Sequence, residues 1–372
     1  MSEVIYAEWR PPNSSKLLMR SAENGSQQSK GGQRVIKRLL LIFAALVGVA
    51  AEVDTSQVAA QELVKARIGL VRLPSNAPLY IGLERGFFRN EGLDIQLNFF
   101  DAASAVPVVV VSGDVDIGLG GLTAAFYNLA AKGGLKIISS TVREKAGYRL
   151  DAFLITTKAY NEGFQSWKDL AGKRVAITTV GSSYHLKFVT LAKKNGVDIA
   201  KVTFVPLQSL QNQAAAFAGN QVDAASLPAL VAENFVKSGQ GRLMGWAGDE
   251  TPSQNGVVVA SPATIEKRRV LIEKFLRAYN QSVALYYDSF LDRADERSAS
   301  LAQQQMLETI ARYVQSTPEN LKSAMPYYDR QPEVDVADMS RQLAIWQELG
   351  MAPKSADIKT MVDLSFNHGT SE

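Results

Sequence analysis

The 372-residue sequence predicts an α/β protein of two lobes, each a parallel sheet covered by helices. Short apolar segments alternate with segments of helical periodicity, and such alternation is typical of parallel α/β folds. The order of these segments recurs in the two halves of the chain. Two further extended segments connect the halves, which completes the predicted two-lobe architecture.

In the first half, four apolar segments predict strands, and one helix has clear boundary signals. Pro78 suits the first position of a helix and Gly86 suits its end. The apolar segments show little polar alternation, as expected of strands that are buried on both faces. The predicted strands are RIGLV (Arg67–Val71), LDIQLNFF (Leu93–Phe100), VDIGLGG (Val115–Gly121) and LKIISSTV (Leu135–Val142).

The second half repeats this order. The segments SGDVDIGLGGL and AGNQVDAASLP share glycine, an acidic or amide residue, Val-Asp and then small apolar residues. The match indicates two equivalent units; because it is short, chance similarity between two α/β units is the alternative. The predicted strands are KRVAITT (Lys173–Thr179), VTFVPL (Val202–Leu207), VDAASLP (Val222–Pro228) and RLMGWAG (Arg242–Gly248).

The connections between the halves predict a hinge. DAFLITTKAY (Asp151–Tyr160) runs from the first half to the second, and GVVVASP (Gly256–Pro262) runs back. The remaining third, which begins with Thr264–Phe290, has helical periodicity and is expected to pack on the first lobe. The predicted boundaries are 1–60 for a leader, 61–157 with 256–372 for lobe 1, and 158–255 for lobe 2.

The first 60 residues predict export. Residues 1–33 have a polar composition typical of disorder, and three basic residues then precede the apolar run Leu39–Ala51. That run is shorter than the roughly 20 residues that span a bilayer, so we interpret it as a secretory signal cleaved after Ala51 or Ala60, with Met19 as a candidate start. A short membrane anchor or a buried helix is the alternative. Without cysteine, no lipid anchor is predicted, and the expected location is the periplasm.

Composition and motifs disfavour several function classes. Lys and Arg number 40 against 37 Asp and Glu, so no basic nucleic-acid surface is indicated. The absence of cysteine excludes disulfides, cysteine metal sites and cysteine nucleophiles. Neither HExxH nor GxxxxGK[ST] occurs, and GSSYH is not the GxSxG elbow. We therefore predict no catalytic residue, no cofactor and no metal.

The loops after the predicted strands indicate a ligand site, because ligands of open α/β sheets bind outside the carboxyl ends of the strands. In the loop TTVGSSYH, Gly181 allows a sharp turn, Ser182 or Ser183 caps the next helix, and the helix start suits an anion. A capping turn without a ligand is the alternative. Four such loops line one cleft in the predicted arrangement: Pro74–Pro78, Gly120–Thr123, Val180–His185 and Ser226–Ala229, the last with Ser226 as a candidate contact.

Aromatic and charged side chains near these loops are further candidates. His185 is expected to be neutral in the first helical turn and to donate a hydrogen bond to a carboxylate or sulfonate; a histidine without a ligand role is the alternative. Other side chains either form cleft walls or lie in the core or on the surface: Tyr80, Arg143, Tyr148, Arg149, Tyr184 and Trp246.

Three segments resemble the nitrate/sulfonate/taurine-type solute-binding proteins of ABC importers: PSNAPLYIGLERGFFRNEGLDIQL, VSGDVDIGLGGLTA and WKDLAGKRVAITTVGSS. The resemblance covers roughly Lys65–Pro262 and is more specific for the fold than for the substrate. It implies a type II periplasmic binding protein-like fold, with two Rossmann-like lobes joined by a two-segment hinge. It also implies ligand contacts at Asn76, Gly121, Leu122, Thr123, Gly181, Ser182 and Ser183.

We therefore expect a monomeric periplasmic protein that binds a small organic anion by hinge closure and delivers it to an ABC permease and its ATPase. The candidate side chains are hydroxyls, amides, tyrosines and one histidine, which favours a carboxylate or sulfonate, with an aromatic carboxylate preferred. The resembling superfamily includes a thiamine-pyrimidine synthase, whose cysteine-rich motif is absent here. An enzyme of that class and a periplasmic ligand sensor remain the alternatives.

Overall fold

Two five-stranded sheets form the framework of the structure, a computed structural model that describes residues 62–292, 301–322 and 325–366. The predicted leader and signal segment lie outside these residues. In chain order the strands are β1 (Val64–Val71), β2 (Leu93–Phe100), β3 (Ile117–Gly121), β4 (Lys136–Ser140), β5 (Arg143–Glu144), β6 (Asp151–Thr156), β7 (Arg174–Ile177), β8 (Thr203–Pro206), β9 (Ala224–Pro228), β10 (Gly241–Trp246), β11 (Ser253–Gln254) and β12 (Gly256–Ala260).

Helices cover both faces of each sheet. Alternate residues of β12 enter two different cores, Val258 and Ala260 on one face and Val257 and Val259 on the other. None of the helices in the described ranges combines the length and the apolar character that a bilayer crossing demands. The helices are α1 (Ala77–Glu84), α2 (Phe87–Asn90), α3 (Ala105–Ser112), α4 (Ala124–Ala131), α5 (Thr157–Asn161), α6 (Ser183–Lys194), α7 (Leu210–Ala218), α8 (Ala229–Lys237), α9 (Ala247–Glu250), α10 (Pro262–Phe290), α11 (Leu301–Val314), α12 (Pro318–Leu321) and α13 (Val336–Glu348).

The two sheets have the same strand order. The first runs β2-β1-β3-β12-β4, and the second runs β8-β7-β9-β6-β10 when read in the matching direction. The predicted near-repeat therefore corresponds to equivalent positions in the two sheets. The long C-terminal helix α10 packs in one core of the first sheet and α13 in the other, as expected for the C-terminal third.

A repeated ion pair explains the short Val-Asp match between the halves. Asp116, just before β3, accepts a hydrogen bond from the backbone N–H of Arg67 on β1 at 2.8 Å and pairs with its guanidinium at 3.2 Å. Asp223, just before β9, accepts the same two contacts from Arg174 on β7, both at 2.7 Å. We call this arrangement the Arg-Asp clamp. It joins the two neighbouring strands of each unit at their amino ends.

The expectation of wholly parallel sheets is wrong for one strand in each sheet. β12 is antiparallel to β3 and β4, and β6 is antiparallel to β9 and β10. The physical reason is the entry point of the chain. Each reversed strand arrives from the other lobe at the edge where the parallel strands end, so it must run in the opposite direction.

The connection between the lobes is a short two-stranded ribbon. β5 and β11 pair in antiparallel fashion, with Glu144 opposite Ser253. β6, predicted as a crossover, lies fully buried between β9 and β10, so strand pairing places residues 151–156 in the second sheet, although the predicted boundary had assigned 61–157 to lobe 1. The crossings are instead the segments that contain β5 and β11.

Candidate functional site

A cavity of about 440 Å³ lies where strands of both sheets end. The first lobe contributes the residues after β1 and β2, and the second lobe contributes the end of β9 and the first turns of α7 and α8. We call this space the main cavity. Its volume lies within the range of about 300–1,000 Å³ that is typical of small-molecule sites.

A second cavity of about 80 Å³ adjoins the main cavity and shares seven lining residues with it, including Ser75, Tyr184 and Asn255. We call it the side cavity. Five of the predicted ligand contacts line one or both of these spaces: Asn76, Gly121, Ser182, Ser183 and Tyr184. Leu122 lies instead against a third cavity, of about 170 Å³, beside the ribbon.

The predicted loops of the two lobes contact each other next to the side cavity. The N–H of Ala124 donates a hydrogen bond to the carbonyl of Gly181 at 2.8 Å. Ser182 accepts the N–H of His185 and caps α6, as predicted, and Thr123 accepts the N–H of Phe126 and caps α4. The side chain of Thr123 is thus buried in a structural role, and neither Thr123 nor Gly181 lines the main or the side cavity.

His185 is structural in this arrangement. Its Nδ1 accepts a hydrogen bond from the N–H of Gly181 at 3.1 Å, and its ring packs against Phe204 and Trp346. Burial lowers the pKa of His185 to about 4, so the ring is neutral at physiological pH. The neutral state matches the expectation, but its cause is burial, and His185 lines neither the main nor the side cavity.

Four other predicted contacts also pack away from both cavities. Tyr80 is fully buried and stacks on Tyr313, with ring centroids 4.6 Å apart. Ser226 is fully buried in β9. Tyr148 packs against the ring of Tyr327, and Trp246 lies beneath the guanidinium of Arg149.

The two candidate arginines have different positions. Arg143 forms ion pairs with Asp329 and Asp335, which attach the ribbon to the C-terminal segment. Arg149 does line the main cavity, where its guanidinium pairs with Glu233 at 3.1 Å. Arg149 is thus a wall of the cavity whose charge is balanced within the protein.

Sequence reasoning missed several residues that line the main cavity. Arg72 and Asp101 directly follow β1 and β2, so the strand-end rule that selected the other loops would have found them. Gln315 and Ser316 follow α11, some 240 residues along the chain from Arg72, and no local pattern connects them with the site. Asn255 reaches the cavity from the ribbon, directly after β11.

A buried group of three charged side chains, which we call the ribbon triad, joins the ribbon to the second lobe. Lys187 of α6 lies 2.7 Å from Glu144 of β5 and also contacts Asp151 of β6. Burial raises the pKa of Glu144 to about 8, against the opposing effect of Lys187. Burial lowers the pKa of Lys187, but the two carboxylates outweigh it and the net shift is upward. Asp151 also lines the main cavity, so the triad extends from the ribbon to the site.

Solved structures share this architecture. The alkanesulfonate-binding protein SsuA from Xanthomonas axonopodis pv. citri bound to MOPS has a TM-score of 0.66 at 20% identity, covering 81% of this chain and 99% of that chain. The periplasmic aliphatic sulphonate binding protein SsuA from Escherichia coli has a TM-score of 0.62 at 18% identity, covering 80% of this chain and 92% of that chain. The periplasmic nitrate-binding protein NrtA from Synechocystis PCC 6803 has a TM-score of 0.63 at 13% identity, covering 82% of this chain and 87% of that chain.

At these identities the likeness shows the fold, which is that of the periplasmic binding proteins. The predicted α/β class and the resemblance to this group are thereby confirmed. No curated protein sequence matches the chain. The family model described as "NMT1/THI5 like" matches residues 73–289, which is more than half of the sequence. With a matching family model and a matching fold, the chain belongs to the NMT1/THI5-like family.

Proposed function

We propose that this protein is the solute-binding component of an ABC importer, which captures a small organic anion in the main cavity and delivers it to a permease. The observation that carries the proposal is the position of the cavity. Its walls come from the carboxyl ends of both sheets, and the sheets are joined by the β5–β11 ribbon. A ligand there contacts both lobes at once.

Contact with both lobes supplies the driving force for closure. A ligand shifts an equilibrium between open and closed forms only as far as its affinities for the two forms differ. A solute held by the β1 and β2 ends on one side and by the start of α8 on the other makes its full set of contacts only in the closed form. Bending at a short ribbon is the usual way in which such lobes approach each other.

The polar groups at the cavity support an anionic ligand. Helices α6, α7 and α8 all begin at the main or the side cavity, and a helix start carries a partial positive charge. Pro228, which precedes α8, provides no side-chain cap, so no capping side chain accepts a hydrogen bond from the first N–H groups of that helix. The proposed ligands are therefore carboxylates and sulfonates, which can accept hydrogen bonds from these groups.

Ligand binding by the purified protein tests the proposal. We expect at least one small organic carboxylate or sulfonate to raise the melting temperature and to bind with a micromolar dissociation constant, equivalent to about −8 kcal/mol. Native mass spectrometry of the purified protein is the complementary measurement, because it identifies a solute that has remained bound. If a broad panel of organic anions leaves the melting temperature unchanged and no solute is retained, the proposal is wrong.

Export and delivery need their own test. We expect the mature protein in the periplasmic fraction of a bacterial host, shortened at its N-terminus relative to the full chain. Retention of the full-length chain in the cytosol would contradict a role in import. The enzyme alternative finds little support at the site, because His185 is buried behind the loop and accepts the Gly181 N–H.

A further inference from the structure

Arg72 occupies a distinctive position at the main cavity. It directly follows β1, on the edge of the first sheet that faces the site, and its side chain is exposed there. Only one other basic side chain, Arg149, lines the main cavity among the described residues, and that one is paired with Glu233. The two guanidinium groups therefore differ in whether their charge is already balanced.

Two contacts hold the Arg72 guanidinium in place without neutralising it. The group lies 3.7 Å from the ring centroid of Phe99, and Nη1 donates a hydrogen bond to the carbonyl of Tyr313 at 2.6 Å. Within the described ranges, no carboxylate forms an ion pair with Arg72. An aromatic face and a carbonyl orient a cation, but they leave it with a full positive charge. The fixed guanidinium can therefore receive an anionic group of a ligand.

The remaining walls of the main cavity indicate the chemical character of the rest of that ligand. They are mostly aliphatic and aromatic, and they surround a space of about 440 Å³. A bare inorganic oxyanion would leave much of this apolar surface without contact, whereas an organic body would bury it, which favours binding. The apolar lining includes Leu73, Phe100, Leu150, Tyr184, Leu227 and Val314.

The carboxylate of Asp101 limits the charge of the ligand. Asp101 lines both the main and the side cavity and is exposed to solvent. The other acidic residue of the main cavity, Asp151, is already paired with Lys187. A second negative charge on the ligand would meet Asp101 without a compensating cation, so a dianion is disfavoured.

We propose that Arg72 is the specificity-determining residue of the site and that it selects organic monoanions with a compact apolar body, binding their carboxylate or sulfonate group. This inference rests on the proposed solute-binding function and deepens it. The planar guanidinium offers two parallel donors to such a group, which a lysine would not reproduce.

Calorimetry with defined probes tests the inference. The probes are benzoate and benzenesulfonate as apolar monoanions, benzamide as the neutral analogue of benzoate, phthalate as a dianion, and sulfate and nitrate as inorganic anions. For the unaltered protein we expect the monoanions to bind at least tenfold more tightly than benzamide, phthalate, sulfate or nitrate. This comparison needs no variant, so it does not depend on the folding of a mutant.

Variants then assign the effect to Arg72. Arg72→Gln should weaken benzoate binding by roughly 10- to 150-fold, the loss expected for hydrogen bonds to a charged group, and should leave benzamide binding nearly unchanged. The affinity of Arg72→Lys for benzoate should lie between those of the unaltered protein and of Arg72→Gln. The matched control is Arg242→Gln, because Arg242 also lies over an aromatic ring, Tyr160, but does not line either cavity. It should leave all affinities within about twofold.

The outcomes separate this inference from the function on which it rests. If Arg72→Gln binds benzoate as tightly as the unaltered protein, or if sulfate, nitrate or phthalate binds best, Arg72 does not select monoanions, yet a solute-binding protein remains. If the monoanions do not bind and the purified protein retains a cationic or neutral solute, the inference is likewise overturned. If the unaltered protein binds no solute of any class, both the inference and the proposed function are wrong.

Discussion

Gly181 lies at a close contact between the two lobes, where its lack of a side chain matters twice. Its φ of +83° lies in the left-handed region, and an added Cβ would lie 2.7 Å from the Cβ of Ala124 in the facing loop. The same residue donates its N–H to His185 and accepts the N–H of Ala124. The turn that the sequence predicted for GSS thus serves contact between the loops as well as helix capping.

Replacing Gly181 by alanine should destabilise the protein through both strain and steric overlap. The control is Gly196→Ala, because Gly196 has a similar φ of +68° but nothing within 4 Å of an added Cβ. We expect Gly196→Ala to cost about 1–2 kcal/mol of unfolding free energy and Gly181→Ala clearly more. Urea unfolding measures both values. If both variants lose the same unfolding free energy, the close contact between Gly181 and Ala124 does not affect stability.

At the scale of secondary-structure elements, the ribbon is the part of the fold in which charge and geometry are coupled. β5 carries Glu144, β6 begins with Asp151, and α6 contributes Lys187, so one ammonium group meets two carboxylates in a buried space. A buried carboxylate that ionises without a full partner is costly. For this reason the ribbon triad makes the stability of the hinge region depend on pH.

The sign of that dependence follows from the raised pKa. Glu144 has a pKa of about 8 in the folded protein against its ordinary value of 4.5, so between these values the folded state holds a proton that the unfolded state has lost. Stability therefore falls as pH rises through this window, by at most about 1.4 kcal/mol per pH unit. His185, with its pKa lowered from 6.5 to about 4, acts in the opposite direction below pH 6.5.

Glu144→Gln should remove this loss of stability. Between pH 6.5 and 8, where the remaining titration of His185 contributes equally to both proteins, we expect the unfolding free energy of the unaltered protein to decrease more steeply than that of Glu144→Gln. Urea unfolding at both pH values gives the two slopes. Glu162→Gln, at an exposed ion pair with Lys158, is the control and should keep the slope of the unaltered protein. If the unfolding free energy of Glu144→Gln changes with pH as steeply as that of the unaltered protein, Glu144 is not protonated in the folded state.

At the scale of the whole molecule, the fold consists of two equivalent sheets that exchange one strand each. β6 follows the first set of strands but pairs in the second sheet, and β12 follows the second set but pairs in the first. Because each lobe contains a strand that enters through the ribbon, the lobes are attached at one edge. At the cavity edge they touch through loop contacts such as that between Ser104 and Thr179, with hydroxyl oxygens 3.4 Å apart.

An engineered disulfide tests whether this contact belongs to the closed, ligand-bound form. The chain has no cysteine, so Ser104→Cys with Thr179→Cys introduces one defined pair. We expect a bound ligand to speed crosslinking and the crosslink to slow ligand release, because both favour the same arrangement of the lobes. Each single-cysteine variant is a control. If crosslinking proceeds at the same rate with and without ligand, closure is not coupled to binding at this contact.

Much of the fold was predictable from the sequence, because the relevant signals are local. Apolar runs located the strands to within a few residues; β2, for example, coincides with the predicted Leu93–Phe100. The Val-Asp match identified the repeated unit, and the Arg-Asp clamp gives it a physical cause. Serine capping at Ser182 was also predictable, since a cap depends on its own turn and the residues just after it.

The tertiary structure alone decided the direction of β6 and β12, the position of the ribbon and the composition of the cavity. These depend on which segments meet across long sequence separations; Arg72 and Tyr313 are 241 residues apart and share a hydrogen bond. A local pattern shows that an arginine follows a strand, but not whether a carboxylate elsewhere in the chain balances its charge. That balance distinguishes Arg72 from Arg149 and could be read only from the packed molecule.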